Sequence, residues 1–168
     1  YTLIDDEILS AYPNLTVVKS ISKSYGVPGL RLGVLASAKT EVIQTVRNEN
    51  AIWNINAFAE YFMQIFGKYE KDYKKACDLL AQERARFSQK LSQIRGITVL
   101  PSQANFVLCM LSGISASELT QTALQEHSLL IKDLSQKQGL HGKQCIRLAV
   151  MSEQDNDFAV DVIRTIMH

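Results

Sequence analysis

The sequence predicts an α/β protein, and three observations carry that prediction. Two short apolar, β-branched runs bracket a loop rich in glycine. A densely charged, helix-periodic stretch then runs over residues 70–94 without a glycine or proline. After Gly96 the texture changes to apolar runs and helical patterns in the order β-β-α-β-β-α.

Each element has its own signal. Residues 15–21 (LTVVKSI) read as a strand, and residues 22–31 (SKSYGVPGLR), with two Gly and one Pro, read as a loop. Residues 32–36 (LGVLA) resume as a strand. Helical patterning occupies residues 39–47 and 54–67, the second with Ile55, Ala59, Phe62 and Phe66 on one stripe. In the long stretch Tyr73, Ala76, Leu80, Phe87, Leu91 and Ile94 keep helical phase, and Gly96 stands where a C-terminal cap belongs. Residues 97–100 and 105–111 read as strands joined by Pro101-Ser102-Gln103-Ala104. Ser115 starts a helix to His127, with Glu118 placed for a capping box. Residues 129–132 and 145–150 read as strands around a polar loop at 133–143. Ser152 opens the last helix, with Asp155 three residues on and Phe158, Val162 and Ile166 as its apolar stripe. The texture change divides the chain into 1–95 and 96–168.

Composition narrows the function classes. Across 168 residues, 18 Lys+Arg face 17 Asp+Glu, for a net charge of +1. That balance argues against a nucleic-acid binder, which clusters a basic excess. No apolar run is long enough to span a membrane. Cys77, Cys109 and Cys145 are far apart and form no CxxC pair, which points away from a disulfide framework or thiolate metal site and towards a reducing compartment. His127, His141 and His168 have no ligand spacing, so no metal is expected. The chain opens at Tyr1 with neither an initiator Met nor a signal-peptide pattern, so it is expected to be a piece of a longer protein.

The chemistry concentrates in residues 20–33, SISKSYGVPGLRLG. Ser20 and Ser22 flank Lys23 at a strand end, and Arg31 follows. Gly26, Gly29 and Gly33 let the backbone turn and approach a ligand. A guanidinium with nearby hydroxyls makes a phosphate cradle, since it can bind two oxygens at once. A lysine beside that cradle, screened from water, can lose its proton and attack a carbonyl. The bland alternative is a surface lysine in a turn.

The pattern SxSKxxGxxGxRxG resembles the lysine loop of fold-type I pyridoxal-phosphate enzymes, the aspartate aminotransferase superfamily, and most nearly histidinol-phosphate aminotransferase-like members. The resemblance implies that Lys23 forms the Schiff base with pyridoxal 5′-phosphate and shuttles a proton between substrate Cα and cofactor C4′. It implies that Ser20, Ser22 and Arg31 hold the 5′-phosphate. Pro101-Ser102-Gln103-Ala104-Asn105-Phe106 is similar to the family's PSQANF segment, which places Asn105 near the substrate. Cys145-Ile146-Arg147-Leu148-Ala149-Val150 is similar to the strand whose arginine, here Arg147, binds the substrate α-carboxylate. Trp53-Asn54-Ile55-Asn56 resembles a short turn near the family's dimer interface, though helix capping explains its Asn residues equally well. Tyr25 is expected to pack in the core or against a neighbouring subunit.

The resemblance starts midway through the family pattern. The family's DEAY-type motif, whose Asp pairs with the pyridine nitrogen, would fall before Tyr1, and Asp5 and Asp6 sit too close to Lys23 to replace it. Met151 stands where the family usually has Gly, which puts the local loop shape in question. The implied architecture is the end of a large cofactor-binding domain with a long linking helix in 1–95, then a small C-terminal α/β domain in 96–168. The implied activity is amino transfer between an amino acid, or amino phosphate or phosphonate, and a 2-oxo acid, by a cytoplasmic homodimer when full length. A decarboxylase of the threonine-phosphate type shares the same loop and is the alternative, as is a non-catalytic aminotransferase-like domain. The chain by itself is expected to be inactive.

Overall fold

The computed structural model describes residues 5–168; Tyr1 lies outside them. Strands β1 (Thr16–Lys19) and β2 (Val34–Ser37) pair antiparallel, with Thr16 opposite Ser37 and Lys19 opposite Val34. The segment between them is more ordered than its glycines suggest. It forms a one-turn helix, α2 (Ile21–Ser24), and a 3-10 turn at Pro28–Leu30. Ser20 sits at the α2 N-cap position, and its carbonyl accepts from both the N–H and the hydroxyl of Ser24.

A helix that the periodicity does not announce, α1 (Asp6–Ala11), precedes β1. The Asp5 carboxylate caps it by accepting from the N–H groups of Glu7 and Ile8. Helices α3 (Thr40–Glu49) and α4 (Ala57–Phe66) follow β2. Asn56 caps α4 through the Ala59 N–H and donates to the Leu30 carbonyl at 2.9 Å, tying the helix to the glycine-rich segment. Tyr25 packs within this unit, 4.4 Å from Phe66 and 4.6 Å from Tyr73 between ring centres.

The first compact unit ends at Tyr73 and the second runs over Lys74–His168. Helix α5 (Glu70–Ser92) begins just before that junction and ends at Ser92, ahead of Gly96.

The second unit is a four-stranded sheet with three helices. Its strands are β3 (Ile97–Leu100), β4 (Phe106–Leu111), β5 (Lys132–Asp133) and β6 (Cys145–Ala149), in the order β3-β4-β6-β5, all antiparallel. Helices α6 (Ala116–His127) and α7 (Glu153–Met167) join α5 around the core. Alternation along the strands decides what is buried. Val107, Cys109, Ile146 and Leu148 share one core with Phe87, Leu91, Leu119 and Ile163. Each large side chain there contributes roughly 1.5–3 kcal/mol. Phe106, Arg147 and Ala149 are exposed on the opposite face.

Two sequence expectations shift. The strand read at 129–132 is displaced to Lys132–Asp133, because α6 ends in a left-handed Ser128 and the Leu129 N–H returns to the Ala123 carbonyl. Leu129 therefore belongs to the helix cap. On α7 the stripe rotates. Phe158 is 48% exposed, while Ala159, Val160, Val162 and Ile163 are buried. Ala76, read as part of the α5 stripe, is also exposed, and burial on that helix begins further along.

Helices α5 and α7 are also joined by charge. Arg86 pairs with Glu83 at 2.7 Å and with Asp157 at 2.7 Å, and Lys90 reaches Asp157 at 2.8 Å. The Arg86 hydrogen bond holds the Glu83 carboxyl below its ordinary value, and the Lys90 hydrogen bond does the same for Asp157. No described helix is long and apolar enough to cross a membrane.

Candidate cofactor and substrate site

The lysine segment is built by hydrogen bonds across the β1–β2 ribbon. Ser22 is 1% exposed. Its hydroxyl donates to the Leu32 carbonyl and accepts from the Leu32 N–H, while its own N–H also reaches the Leu32 carbonyl at 3.0 Å. Ser22 thus staples the start of the segment to its end. Ser20 is exposed and makes no side-chain capping bond, so its hydroxyl faces no competing partner on α2. Lys23 is exposed on the same one-turn helix.

Arg31 adopts a left-handed backbone, φ 53°, at the end of the 3-10 turn. That conformation costs a non-glycine residue roughly 1–2 kcal/mol, and such strain collects at ligand sites. Its guanidinium makes one long bond, 3.4 Å, to the Pro28 carbonyl. Ser20, Ser22 and Arg31 line one cavity of about 210 Å³, together with Lys19 and Gly33. A Cβ on Gly33 would stand 3.3 Å from the Lys19 carbonyl, so the backbone closes tightly there. Lys23 is not among the residues lining that cavity. Lys19 escaped the sequence reading, since a lysine ending a strand carries no motif.

This donor set suits the phosphate of pyridoxal phosphate. The cavity's lining residues include Arg31 and Lys19, a serine hydroxyl without a capping bond and a close-packed glycine, with Lys23 on the adjoining one-turn helix. Ser22 differs from the expectation in how it contributes: its hydroxyl is engaged with the Leu32 main chain.

Asn105 and Arg147 belong to the second unit. Asn105 immediately precedes β4, and its carbonyl accepts from the Val150 N–H at 2.9 Å. Upstream, Ser102 folds the PSQA turn by donating to the Phe106 carbonyl and accepting from the Ala104 N–H. Arg84 on α5 fastens the Ala104 carbonyl at 3.1 Å. Arg147 lies on the open face of β6, its guanidinium 5.2 Å from the centre of the Phe106 ring. That contact places the guanidinium over an aromatic face, where the ring attracts a cation.

The register adds a residue the sequence did not single out. Lys132 on β5 stands directly opposite Arg147, and both are exposed. Opposed like charges on neighbouring strands are destabilising, so the pair is suited to a multiply charged anion. No spacing in the sequence signals this, because β5 lies beyond a helix and before a long loop.

Met151 resolves the question raised by the missing glycine. Its backbone is not left-handed. The Asn156 side chain holds the turn instead, accepting from the Met151 N–H at 3.0 Å and donating to the Met151 carbonyl at 3.1 Å.

Comparison with known proteins agrees with this geometry. The chain matches the family described as aminotransferase class I and II over residues 7–163. It is 35% identical over 160 residues to the CMP-5′-(3-aminopropyl)phosphonate synthase of Streptomyces rubellomurinus, covering 95% of this chain and 26% of that protein. It is 33% identical over 163 residues to the L-serine phosphate decarboxylase of Sulfurospirillum multivorans, covering 95% of this chain and 41% of that one. Among solved structures, the histidinol-phosphate aminotransferase of Clostridium acetobutylicum matches with a TM-score of 0.84 at 27% identity, over 95% of this chain and 47% of its own. The chain thus spans less than half the length of these relatives. A match over nearly the whole chain, on a fold that gathers Ser20, Ser22 and Arg31 at one cavity, places it in the class I and II aminotransferase family of pyridoxal-phosphate enzymes.

Proposed function

We propose that the protein carrying this chain is a pyridoxal-phosphate enzyme acting on an amino acid that bears a phosphate or phosphonate, and that it decarboxylates that substrate. The observation that carries the substrate class is the opposed pair Lys132 and Arg147 on an exposed sheet face beside Phe106. Two cations side by side match a doubly charged phosphate better than a single carboxylate.

Bound pyridoxal phosphate supplies an electron sink for charge released at the substrate Cα. The residues of this chain do the rest. Arg31 and Ser20 bind the cofactor phosphate, with Lys19 adding charge. Ser22 keeps the segment folded around them. Lys23 carries the amine that moves the proton at Cα. If Lys132 and Arg147 grip the phosphate, the carboxylate is left free to depart as CO₂, and Lys23 then delivers a proton to Cα. The likeness to an L-serine phosphate decarboxylase supports decarboxylation as the reaction.

Transamination is the second reading, supported by the family match and by the histidinol-phosphate aminotransferase structure. There Arg147 holds the α-carboxylate in place, and Lys23 takes the Cα proton and returns it at C4′. Asn105, at the neighbouring end of β4, then borders the substrate. In either reading residues 96–168 form the small domain. The family's enzymes are typically dimeric, and the exposed Trp53, Phe58 and Tyr61 support a homodimer here.

The test is product analysis with the cofactor-loaded enzyme and L-serine phosphate or L-threonine phosphate. CO₂ release matched by retained amine is expected, and Lys23→Ala abolishes it. A 2-oxo product formed without CO₂ refutes decarboxylation in favour of transamination.

A further inference from the structure

Asn156 is a polar side chain 1% exposed inside the second unit. Its amide nitrogen donates to Glu83 Oε1 at 2.8 Å and to the Met151 carbonyl, and its oxygen accepts from the Met151 N–H. Both of its side-chain donors are used, one on Glu83 of α5 and one on the Met151 carbonyl, and its oxygen holds the Met151 N–H just past the exit of β6. A core-facing helix position would ordinarily take an apolar residue, so a fully engaged amide there serves something more specific than burial.

The exit of β6 needs that support. Its outer neighbour β5 pairs with it at Ile146 and Arg147, and the Leu134 N–H that follows bonds the Cys145 carbonyl, all on the entry side of the strand. Beyond Arg147 the strand is held by β4 alone: Ala149 pairs with Phe106, and the Val150 N–H reaches the Asn105 carbonyl. The next residue is Met151, held by Asn156. The Phe106 ring that carries the Arg147 guanidinium therefore sits on the register pair nearest the clamp. Slack at Met151 moves the end of β6 against β4, and so moves the ring relative to the guanidinium.

We propose that Asn156 is a positioning residue for Arg147, acting through Met151 and the Ala149–Phe106 pair. The inference rests on the reading of Arg147 as the grip on a substrate anion.

The test compares variants of the cofactor-loaded enzyme with L-serine phosphate as the probe. Asn156→Ala raises KM about tenfold and leaves kcat within about twofold, the split expected when an anion grip is displaced while the chemistry is untouched. Amide hydrogen exchange at Val150 and Met151 accelerates in the same variant. Glu83→Gln, whose side-chain carbonyl still accepts from Asn156, leaves KM at the parent value. Should Asn156→Ala fail to fold, Asn156→Asp combined with Glu83→Gln keeps the acceptor for the Met151 N–H, lets the amide introduced at position 83 donate to the new carboxylate, and raises KM about threefold. Arg147→Lys separates the two ideas. If it raises KM while a folded Asn156 variant does not, the positioning role is overturned alone. If Arg147→Lys leaves KM unchanged, the reading of Arg147 falls and takes this inference with it.

Discussion

Ser20 and Ser22 flank the lysine alike in sequence, but the structure gives them different work, and two alanine substitutions separate it. The Ser22 hydroxyl is buried and bonds both the carbonyl and the N–H of Leu32. The Leu32 carbonyl keeps the Ser22 N–H as a second partner, whereas its N–H has only the hydroxyl to bond. Ser22→Ala therefore strands one buried donor and removes one ring closure, which costs about 2 kcal/mol. In a unit of this size that lowers the melting temperature by about 10 °C. Ser20→Ala leaves no buried group unpaired and moves the melting temperature by less than about 2 °C. The order reverses for cofactor. A hydroxyl donating to a charged phosphate contributes about 1.5–3 kcal/mol, so Ser20→Ala weakens pyridoxal phosphate binding by about ten- to a hundredfold. Thermal unfolding of each apo variant and an absorbance titration with pyridoxal phosphate read both effects. The reasoning is refuted if Ser22→Ala melts like the parent and loses cofactor as Ser20→Ala does, for then the Ser22 hydroxyl serves the phosphate and not Leu32.

Two further outcomes follow from the second unit. Gly96 and Gly113 both have positive φ, +88° and +89°, but a Cβ on Gly96 would lie 2.7 Å from the Ser112 carbonyl, whereas one on Gly113 meets nothing within 4 Å. In thermal or urea unfolding, Gly113→Ala costs about 1 kcal/mol from backbone conformation alone. Gly96→Ala costs about 2–4 kcal/mol, because overpacking adds to that strain; equal losses would show that the steric contact is relieved freely. Glu83 and Asp157 both titrate below their ordinary values of 4.5 and 3.8. A carboxyl with a lowered folded pKa stabilises fully above its ordinary value and loses that contribution as the pH falls through the folded one. The unit therefore loses melting temperature on acidification below about pH 4.5, with Glu83→Gln flattening the slope. A variant with the parent's acid profile would place the linkage elsewhere.

The long helix, the strand pairs and the caps at Ser115 and Ser152 were legible because each is a local matter of spacing and hydroxyl placement. That Ser20, Ser22 and Arg31 meet at one cavity follows the spacing of the lysine segment, since its glycines turn the chain back on itself within a dozen residues. What the sequence could not show depends on distant partners. The role of Ser22 is decided by Leu32 across a ribbon. Lys132 and Arg147 meet through a strand register, and Lys132 lies on the shortest strand of the sheet, β5. The α6 cap captured Leu129 and shifted β5, because the Leu129 N–H found the helix before it found a strand. Met151 in place of glycine reads as a defect until Asn156, five residues on, is seen to hold its backbone.

The rings around Tyr25 bear on how the lysine moves. A helix of four residues cannot hold itself together in water. The main chain of α2 is kept in place by Tyr25 resting on Phe66 and Tyr73, and by the Tyr73 hydroxyl donating to the Ser24 carbonyl. Lys23 lies between these anchors and the Ser22 staple, so its backbone is held from both sides while its side chain is exposed. In the role proposed for Lys23, an amine that leaves one carbon and then carries a proton at another is suited to such a mount, because only the side chain has to turn while the backbone stays in place.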